Sequence, residues 1–140
     1  MLKIISVSAV AIILTACSMS SNYKRPVNLL FQEKSAEKNQ VIHVKRDKKL
    51  CGEDSAKQQE CPISFYVDDF KAGTFYINNQ ANYNLYPNTY TLKVKNCTAK
   101  CDSHEIDIKI DDELTNREFI LSVDKDGKPF IIHMDTLQSQ

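Results

Sequence analysis

In the stretch Glu105-Ile106-Asp107-Ile108-Lys109-Ile110-Asp111, apolar and charged residues alternate without a break. Successive side chains of a β-strand point to opposite faces, so this period of two predicts a strand with one buried and one solvated face. The residues after 40 repeat this pattern in shorter runs that are bounded by turn residues. Because the outer faces are charged, the pattern excludes a barrel that faces lipid.

Six further runs carry the same signal, namely residues 41–46, 63–68, 74–78, 90–95, 119–123 and 130–134. Residues 69–73 are expected to connect a hairpin, and residues 124–129 contain an Asp-Gly pair and a Pro, which favour a turn. About seven short strands with hardly any helix signal predict an all-β chain. We therefore expect a small antiparallel β-sandwich over residues 41–140.

The overall charge is balanced, with 18 Lys and Arg against 18 Asp and Glu in 140 residues. This balance excludes a nucleic-acid-binding protein that relies on bulk positive charge, and it excludes an acidic solvating tail. The length supports one domain. We expect no nucleic-acid partner.

The N-terminus begins Met1-Leu2-Lys3 and continues as an apolar and small-residue run from residue 4 to residue 16. One positive charge followed by a short apolar run is the layout of a secretory signal, and the run is shorter than the roughly 20 residues that span a bilayer. It ends Leu14-Thr15-Ala16-Cys17, which resembles the lipobox of bacterial lipoproteins. The resemblance implies that residues 1–16 are a signal peptide and that Cys17 becomes the acylated N-terminus.

By the same resemblance, Ser18 in place of Asp favours sorting to the outer membrane, where the domain would face the periplasm or the cell surface. The lipid on Cys17 is the only non-protein group that we expect. An ordinary secreted protein with an incidental Cys17, or an uncleaved anchor helix, is the alternative interpretation.

Residues 17–40 are polar, lack a sustained period and are interpreted as a lipidated tether. Their one apolar cluster is Val27-Asn28-Leu29-Leu30-Phe31. This cluster is interpreted as a short strand or turn packed on the domain edge, with a segment that folds on a partner as the alternative.

Two stretches of the middle region, residues 65–74 and 85–94, resemble the PEGA type of small envelope β-domain within residues 61–96. The second stretch reads Leu85-Tyr86-Pro87-Asn88-Thr89-Tyr90-Thr91-Leu92-Lys93-Val94, like the strand that follows the turn in those domains. Asp69 and Asn88 stand where that family usually has Gly. The resemblance implies a non-catalytic module and brings no site residues with it.

Four cysteines follow the anchor, namely Cys51, Cys61, Cys97 and Cys101. An even number in an exported chain predicts two disulfides, for which three connectivities exist. The pairing of nearest neighbours, Cys51 with Cys61 and Cys97 with Cys101, is favoured over cross-pairing of the two loops. A metal site built on Cys97, Cys101 and His104 has tolerable spacing but lacks further ligands, so no metal is expected.

The sequence offers no recognisable catalytic constellation. His43, His104 and His133 are isolated, and there is no nucleophile elbow, phosphate loop or His-Glu-x-x-His motif. The acidic residues 111–113 and 124–126 are interpreted as solvated turns, the second lacking the distal ligands of a calcium loop. We expect no catalytic residue and a non-enzymatic protein.

The richest surface signal is aromatic, because residues 75–90 contain four Tyr and five Asn. Such residues form adaptable contacts with proteins or glycans, so Tyr76, Tyr83 and Tyr86 are the candidate binding residues. Alternatively, the tyrosines cover the ends of the sandwich and the asparagines form turns.

The leading functional hypothesis is an outer-membrane-anchored accessory or interaction module that binds another envelope protein. The second is a free-standing surface or periplasmic binder or inhibitor, such as an exclusion lipoprotein carried by a phage or plasmid. An envelope hydrolase is the third and is disfavoured by the missing catalytic constellation. Co-purification with a large complex would distinguish the first hypothesis from the second.

Overall fold

The computed structural model describes residues 23–98 and 100–135. The predicted signal peptide 1–16 and the predicted lipidation site Cys17 therefore lie outside the described residues. No helix in the described ranges has the length and apolar character needed to cross a membrane.

The described residues form eight strands in two four-stranded sheets. In chain order the strands are β1 (Gln40–Arg46), β2 (Ile63–Val67), β3 (Phe70–Phe75), β4 (Gln80–Leu85), β5 (Asn88–Cys97), β6 (Cys101–Ile110), β7 (Glu118–Val123) and β8 (Pro129–His133). One sheet has the order β4-β1-β7-β8 and the other the order β3-β2-β5-β6. The predicted all-β sandwich is confirmed. Its paired strands are antiparallel except β1 and β7, which pair in parallel.

The core lies between the two sheets and consists of the inward side chains of the alternating strands. Phe65, Phe75 and Tyr83 meet at its centre, with the Phe65 ring 6.2 Å from the Phe75 ring and 5.3 Å from the Tyr83 ring. All three side chains are completely buried. Burying a large apolar side chain stabilises the fold by about 1.5–3 kcal/mol, so this aromatic group holds the two sheets together.

The third strand begins earlier than the sequence predicts. It starts at Phe70 rather than at residue 74, because the hairpin turns on only Asp68 and Asp69. Asp68 takes a positive φ of 51°, a conformation that Asp tolerates better than most residues. The register shifts so that Ala72 has no partner on β2, and this bulge breaks the period of two. Because the bulge interrupts the alternation, the sequence of residues 70–73 predicts a connection instead of a strand.

The strand that the sequence did not predict is β4, which runs through the Asn-rich region. Asn is depleted in strands, so the segment lacks the usual propensity signal. Tyr83 and Leu85 face the core, whereas Asn82 and Asn84 face the other way and contact neighbouring groups. The alternation is therefore present, but its polar half consists of turn-forming residues.

Residues 23–32, here called the edge segment, pack on the domain although the sequence assigned them to the tether. Val27 and Thr74 exchange two backbone hydrogen bonds of 3.0 and 3.1 Å, and Leu30 N donates to Ala72 O at 3.1 Å. Farther along, Asn84 N donates to Phe31 O at 2.8 Å. The edge segment thus closes the side of the sandwich between β3 and β4. For the apolar cluster, packing on the domain edge is the arrangement observed.

The sandwich has two chemically different ends. The disulfide end carries the turn of residues 76–79, the β5–β6 hairpin and the β7–β8 turn. The groove end carries the β2–β3 turn and the connection from β4 to β5. Because β3 and β4 have six residues each at about 3.3 Å per residue, the turn of residues 76–79 and the groove end lie roughly 20 Å apart.

Candidate functional site

A shallow groove of about 400 Å³ opens at the groove end of the sandwich. Aromatic side chains from four places in the chain line it, namely Phe31, Phe70, Tyr86 and Tyr90. They come from the edge segment, the start of β3, the β4–β5 connection and β5. A mostly apolar concavity with a few polar groups is the common form of a binding site.

Two of these aromatic side chains are unusually exposed. Phe70 is 64% exposed and Tyr86 is 51% exposed, although apolar rings are normally placed in the core. Phe70 directly follows the β2–β3 turn, and Tyr86 directly follows the buried Leu85 at the end of β4. Their positions beside strand ends present both rings to solvent on a rigid frame.

Hydrogen bonds fix the backbone on both sides of the groove. Asp68 N donates to Thr91 O at 2.8 Å, and the Asp68 carboxylate accepts the Thr91 amide at 3.0 Å. On the other side, the Tyr90 hydroxyl donates to Tyr86 O at 2.7 Å. The backbone that carries the exposed rings is therefore fixed before any partner arrives, which lowers the entropic cost of binding.

Two charged side chains line the groove, the cation of Lys38 and the carboxylate of Asp68. Lys38 Nζ lies 5.6 Å from the centre of the Tyr86 ring, which is within the range of a cation–π contact. Burial raises the pKa of Tyr90, so its hydroxyl stays protonated and continues to donate at neutral pH. The groove thus offers flat apolar faces with a positive group at one side.

The structure separates the three predicted binding tyrosines. Tyr86 lies in the groove, whereas Tyr76 lies at the disulfide end with its ring 4.6 Å from that of Tyr23. Tyr83 is 0% exposed, and its hydroxyl donates to Ala72 O at 2.9 Å. Burial raises the pKa of Tyr83, consistent with a structural hydroxyl in the core. The assignment of Tyr83 as a binding residue is therefore wrong, because an inward position on β4 removes it from solvent.

Sequence reasoning missed Phe31, Lys38 and Phe70 as members of the groove. Phe31 and Lys38 lie in the region assigned to the tether, and Phe70 lies in a stretch assigned to a connection. The sequence offers one signal at Phe70, which directly follows the Asp68-Asp69 pair, because Asp favours turns. Nothing local in the sequence indicates that Phe31 or Lys38 would meet it.

Both disulfides join the favoured pairs, Cys51 with Cys61 and Cys97 with Cys101. Both lie at the disulfide end, away from the groove. Asn96 connects the first bridge to the β7–β8 turn, because its Nδ2 donates to Gly127 O at 2.7 Å and lies 3.3 Å from Cys61 Sγ. The bridge therefore holds the loop of residues 51–61 against the body of the sandwich.

A buried cation supports the same loop. The Arg46 guanidinium donates to Phe75 O at 2.9 Å and, at 3.4 Å each, to Cys61 O and Lys49 O. Burial lowers the pKa of Arg46 to about 10, although nearby Asp47 and Asp54 oppose the shift. Arg46 remains charged at neutral pH and connects three backbone segments at the disulfide end.

Among the described residues, neither candidate cluster of metal ligands presents free thiolates. The ligand atoms of Cys51, Asp54 and Cys61 lie within 4.8 Å of one another, but the two sulfurs are bonded to each other. The Asp54 carboxylate accepts the amides of Glu60 and Cys61 at 3.1 and 2.9 Å. In the cluster considered from the sequence, the sulfurs of Cys97 and Cys101 are likewise bonded to each other, and His104 Nδ1 accepts the Ile131 amide at 3.2 Å.

The other two histidines make structural contacts at separate places. His43 Nδ1 lies within hydrogen-bonding distance of Asn82 Oδ1 on the neighbouring strand. His133 stacks on Phe119, with ring centres 4.8 Å apart, and its Nε2 lies 2.7 Å from Asn116 O. The three histidines therefore belong to three different local networks.

The two acidic stretches, residues 111–113 and 124–126, form turns. In each turn a carboxylate accepts hydrogen bonds from nearby backbone amides. Asp111 accepts the Glu113 amide at 3.0 Å and pairs with Lys109 at 3.2 Å. These contacts, the backbone bond foremost, lower the pKa of Asp111. Asp124 accepts the amides of Asp126 and Lys128 at 2.8 and 3.0 Å, which makes it the capping residue of the β7–β8 turn.

Comparisons with protein-family models, with curated proteins and with solved structures find no match for the chain. The candidate site is therefore assigned from geometry and chemistry. Its principal residues are the exposed rings of Phe70 and Tyr86, with Phe31, Lys38 and Tyr90 completing the groove.

Proposed function

We propose that the chain is a lipid-anchored protein of the bacterial outer membrane and that its β-sandwich binds another envelope protein. The resemblance of residues 14–17 to a lipobox supports the anchor at Cys17. Each buried methylene of an acyl chain contributes about 0.8 kcal/mol, so two or three chains suffice for stable attachment.

The exposure of Phe70 and Tyr86 in one groove is the observation that carries the binding role. A ring of this size gains roughly 1.5–3 kcal/mol when it is removed from water. Aromatic anchors on rigid frames commonly supply most of the affinity of a protein interface. Because Phe70 offers no polar atom, apolar side chains of a protein are better suited to cover it than the hydroxyl groups of a glycan.

A binding role also agrees with the hydrogen bonds of two polar side chains near the groove. The Asp68 carboxylate accepts the Thr91 amide, and the Tyr90 hydroxyl donates to Tyr86 O. Both groups are therefore occupied in holding the groove in shape. We propose that the protein acts by binding and is not an enzyme.

Site-specific photocrosslinking in living cells tests this proposal. A benzophenone amino acid replaces Phe70 or Tyr86 at the groove, and Lys125, exposed in the β7–β8 turn, serves as the matched control position. We expect one envelope protein to crosslink from both groove positions and not from residue 125. Equal crosslinking from all three positions, or crosslinking from residue 125 alone, would contradict the groove as the binding site.

Substitution of the same rings provides the quantitative measurement. Crosslinking identifies the partner, and its co-purification is then measured without crosslinking. Phe70→Ser should reduce this co-purification by roughly 10- to 100-fold, the equivalent of one lost aromatic anchor. Lys125→Ser is the control and should leave co-purification unchanged. Cys17→Ala should leave an unprocessed precursor without lipid, and a processed, lipid-labelled product of this variant would refute the anchor.

A further inference from the structure

The edge segment determines where the N-terminal tether meets the domain. Tyr23, the first described residue, lies at the disulfide end, where its carbonyl accepts Asn79 Nδ2 at 2.8 Å. Its ring lies 4.6 Å from that of Tyr76. Asn79 is itself buried, and its Oδ1 accepts the Tyr76 amide at 2.9 Å. Tyr23 is therefore held against the β3–β4 turn.

The distance between this point and the anchor is limited by the sequence. Six peptide steps separate Cys17 from Tyr23, and a fully extended chain covers at most about 3.5 Å per residue. Tyr23 can therefore lie no farther than roughly 21 Å from an acylated Cys17. The groove lies at the other end of β3 and β4, which have six residues each, so it is roughly 20 Å farther along the sandwich.

The surface around Tyr23 has a composition that suits lipid headgroups. We define the anchor-side surface as Tyr23, Lys24, Arg25, Tyr76 and Ile77. Lys24 and Arg25 are exposed, while Tyr23, Tyr76 and Ile77 are half-buried. Tyrosine rings favour the boundary between membrane and water, and each Lys or Arg near an anionic surface is attracted by about 1 kcal/mol.

We propose that the anchor-side surface lies against the headgroups of the membrane that holds Cys17, so that the aromatic groove points away from that membrane. This inference rests on the proposed function, because the short tether brings the surface to the membrane only if Cys17 is acylated. The occupant of the groove is then a protein whose contacting segment lies beyond the headgroup layer, roughly 20 Å or more from the bilayer.

Paramagnetic broadening of backbone amide signals tests the orientation. The lipidated protein is placed in nanodiscs of phosphatidylethanolamine with a minority of phosphatidylglycerol, in which some headgroups carry a gadolinium chelate. Broadening falls steeply with distance, so it reports which end approaches the lipid. We expect strong broadening for residues 76–79 and much weaker broadening for residues 68–70, Tyr86 and Asn88.

A pair of charge-reversal variants isolates the contribution of the surface. The double variant Lys24→Glu with Arg25→Glu should weaken the binding of the anchor-side surface to the headgroups roughly fivefold for each lost cation, and further for each added anion. The broadening at residues 76–79 should therefore fall. Lys71→Glu, an exposed cation near the groove end, is the matched control and should leave the broadening unchanged.

The possible results distinguish a wrong orientation of the domain from the absence of the lipid anchor. Equal broadening at both ends, or stronger broadening at Tyr86 and Asn88, would overturn the orientation in a protein whose mass shows lipid on Cys17. Broadening that the double variant leaves unaltered would overturn the role of Lys24 and Arg25. Absence of lipid from Cys17 would overturn the anchor, and the orientation with it.

Discussion

Gly73→Ala should destabilise the domain because three side chains fill the space that its methyl group needs. A Cβ at Gly73 would lie 2.8 Å from Leu29 Cδ2, 2.8 Å from Tyr83 Oη and 3.2 Å from Phe75 Cε2. Leu29 belongs to the edge segment and is only partly buried, so its side chain can rotate away. Tyr83 cannot move as easily, since its hydroxyl is bonded to Ala72 O and its ring packs on Phe65.

Inserting a methyl group into a tightly packed core costs about 1–3 kcal/mol, and we expect about 2 kcal/mol for Gly73→Ala. Urea unfolding followed by circular dichroism measures this loss. Displacement of Leu29 should also loosen the edge segment, so the Leu30 amide, which donates to Ala72 O, should exchange its hydrogen faster.

The double variant Leu29→Ala with Gly73→Ala is the matched control. Because Leu29→Ala removes one of the two closest contacts, the double variant should be less destabilised than the sum of the single variants. The close packing of the edge segment would be refuted if the unfolding free energy of Gly73→Ala were within about 0.5 kcal/mol of that of the unsubstituted protein and hydrogen exchange of the Leu30 amide were unchanged.

Three further predictions concern stability. Burial raises the pKa of Tyr83 above its ordinary 10.0, so the folded state keeps this proton where the unfolded state loses it, and stability should fall as the pH rises above about 10. Tyr83→Phe should reduce that fall in alkaline urea titrations; an identical fall in both proteins would contradict the assignment. Arg46→Met should cost about 2–4 kcal/mol in urea unfolding, because it removes a buried donor that is shared by three carbonyls; a neutral effect would contradict this role. Replacing Cys51 and Cys61 by Ser should cost about 2.5–3 kcal/mol for a loop with a sequence separation of 10, against about 2 kcal/mol for the Cys97–Cys101 pair with a separation of 4. A larger loss for the second pair would contradict the loop-entropy argument.

Several strands could be predicted from sequence because their alternation coincides with real burial. Residues 105–110 are the clearest example: they form the second half of β6, in which Ile106 and Ile108 are half-buried and Ile110 is fully buried. The β7–β8 turn was equally predictable, because Asp124 caps the turn and Gly127 takes a positive φ of 79°. Local chemistry determines both features, so a single sequence is enough to identify them.

Other features depend on contacts between distant residues. The parallel pairing of β1 with β7 is one, since no local pattern distinguishes a parallel from an antiparallel neighbour. The edge segment is another, because backbone bonds to β3 and β4 hold it where its own sequence has no period. The bulge at Ala72 shifted the pattern of β3, and asparagines concealed that of β4.

The candidate site could be predicted only in part for the same reason. Tyr86 could be identified because it lies in a region rich in Tyr and Asn. Tyr83 was misassigned because composition does not reveal which face of an unrecognised strand a side chain occupies. The groove exists because Phe31, Phe70 and Tyr86, far apart in the chain, meet at one end of the sandwich.

The intact mass of the mature protein, extracted from bacterial envelopes with detergent, tests the lipid anchor most directly. We predict a chain that begins at Cys17, carries a diacylglycerol group on the sulfur of that residue and contains no free thiol. A chain that retains residues 1–16, or one that begins elsewhere and carries no lipid, would contradict the proposal that this β-sandwich acts from the surface of a membrane.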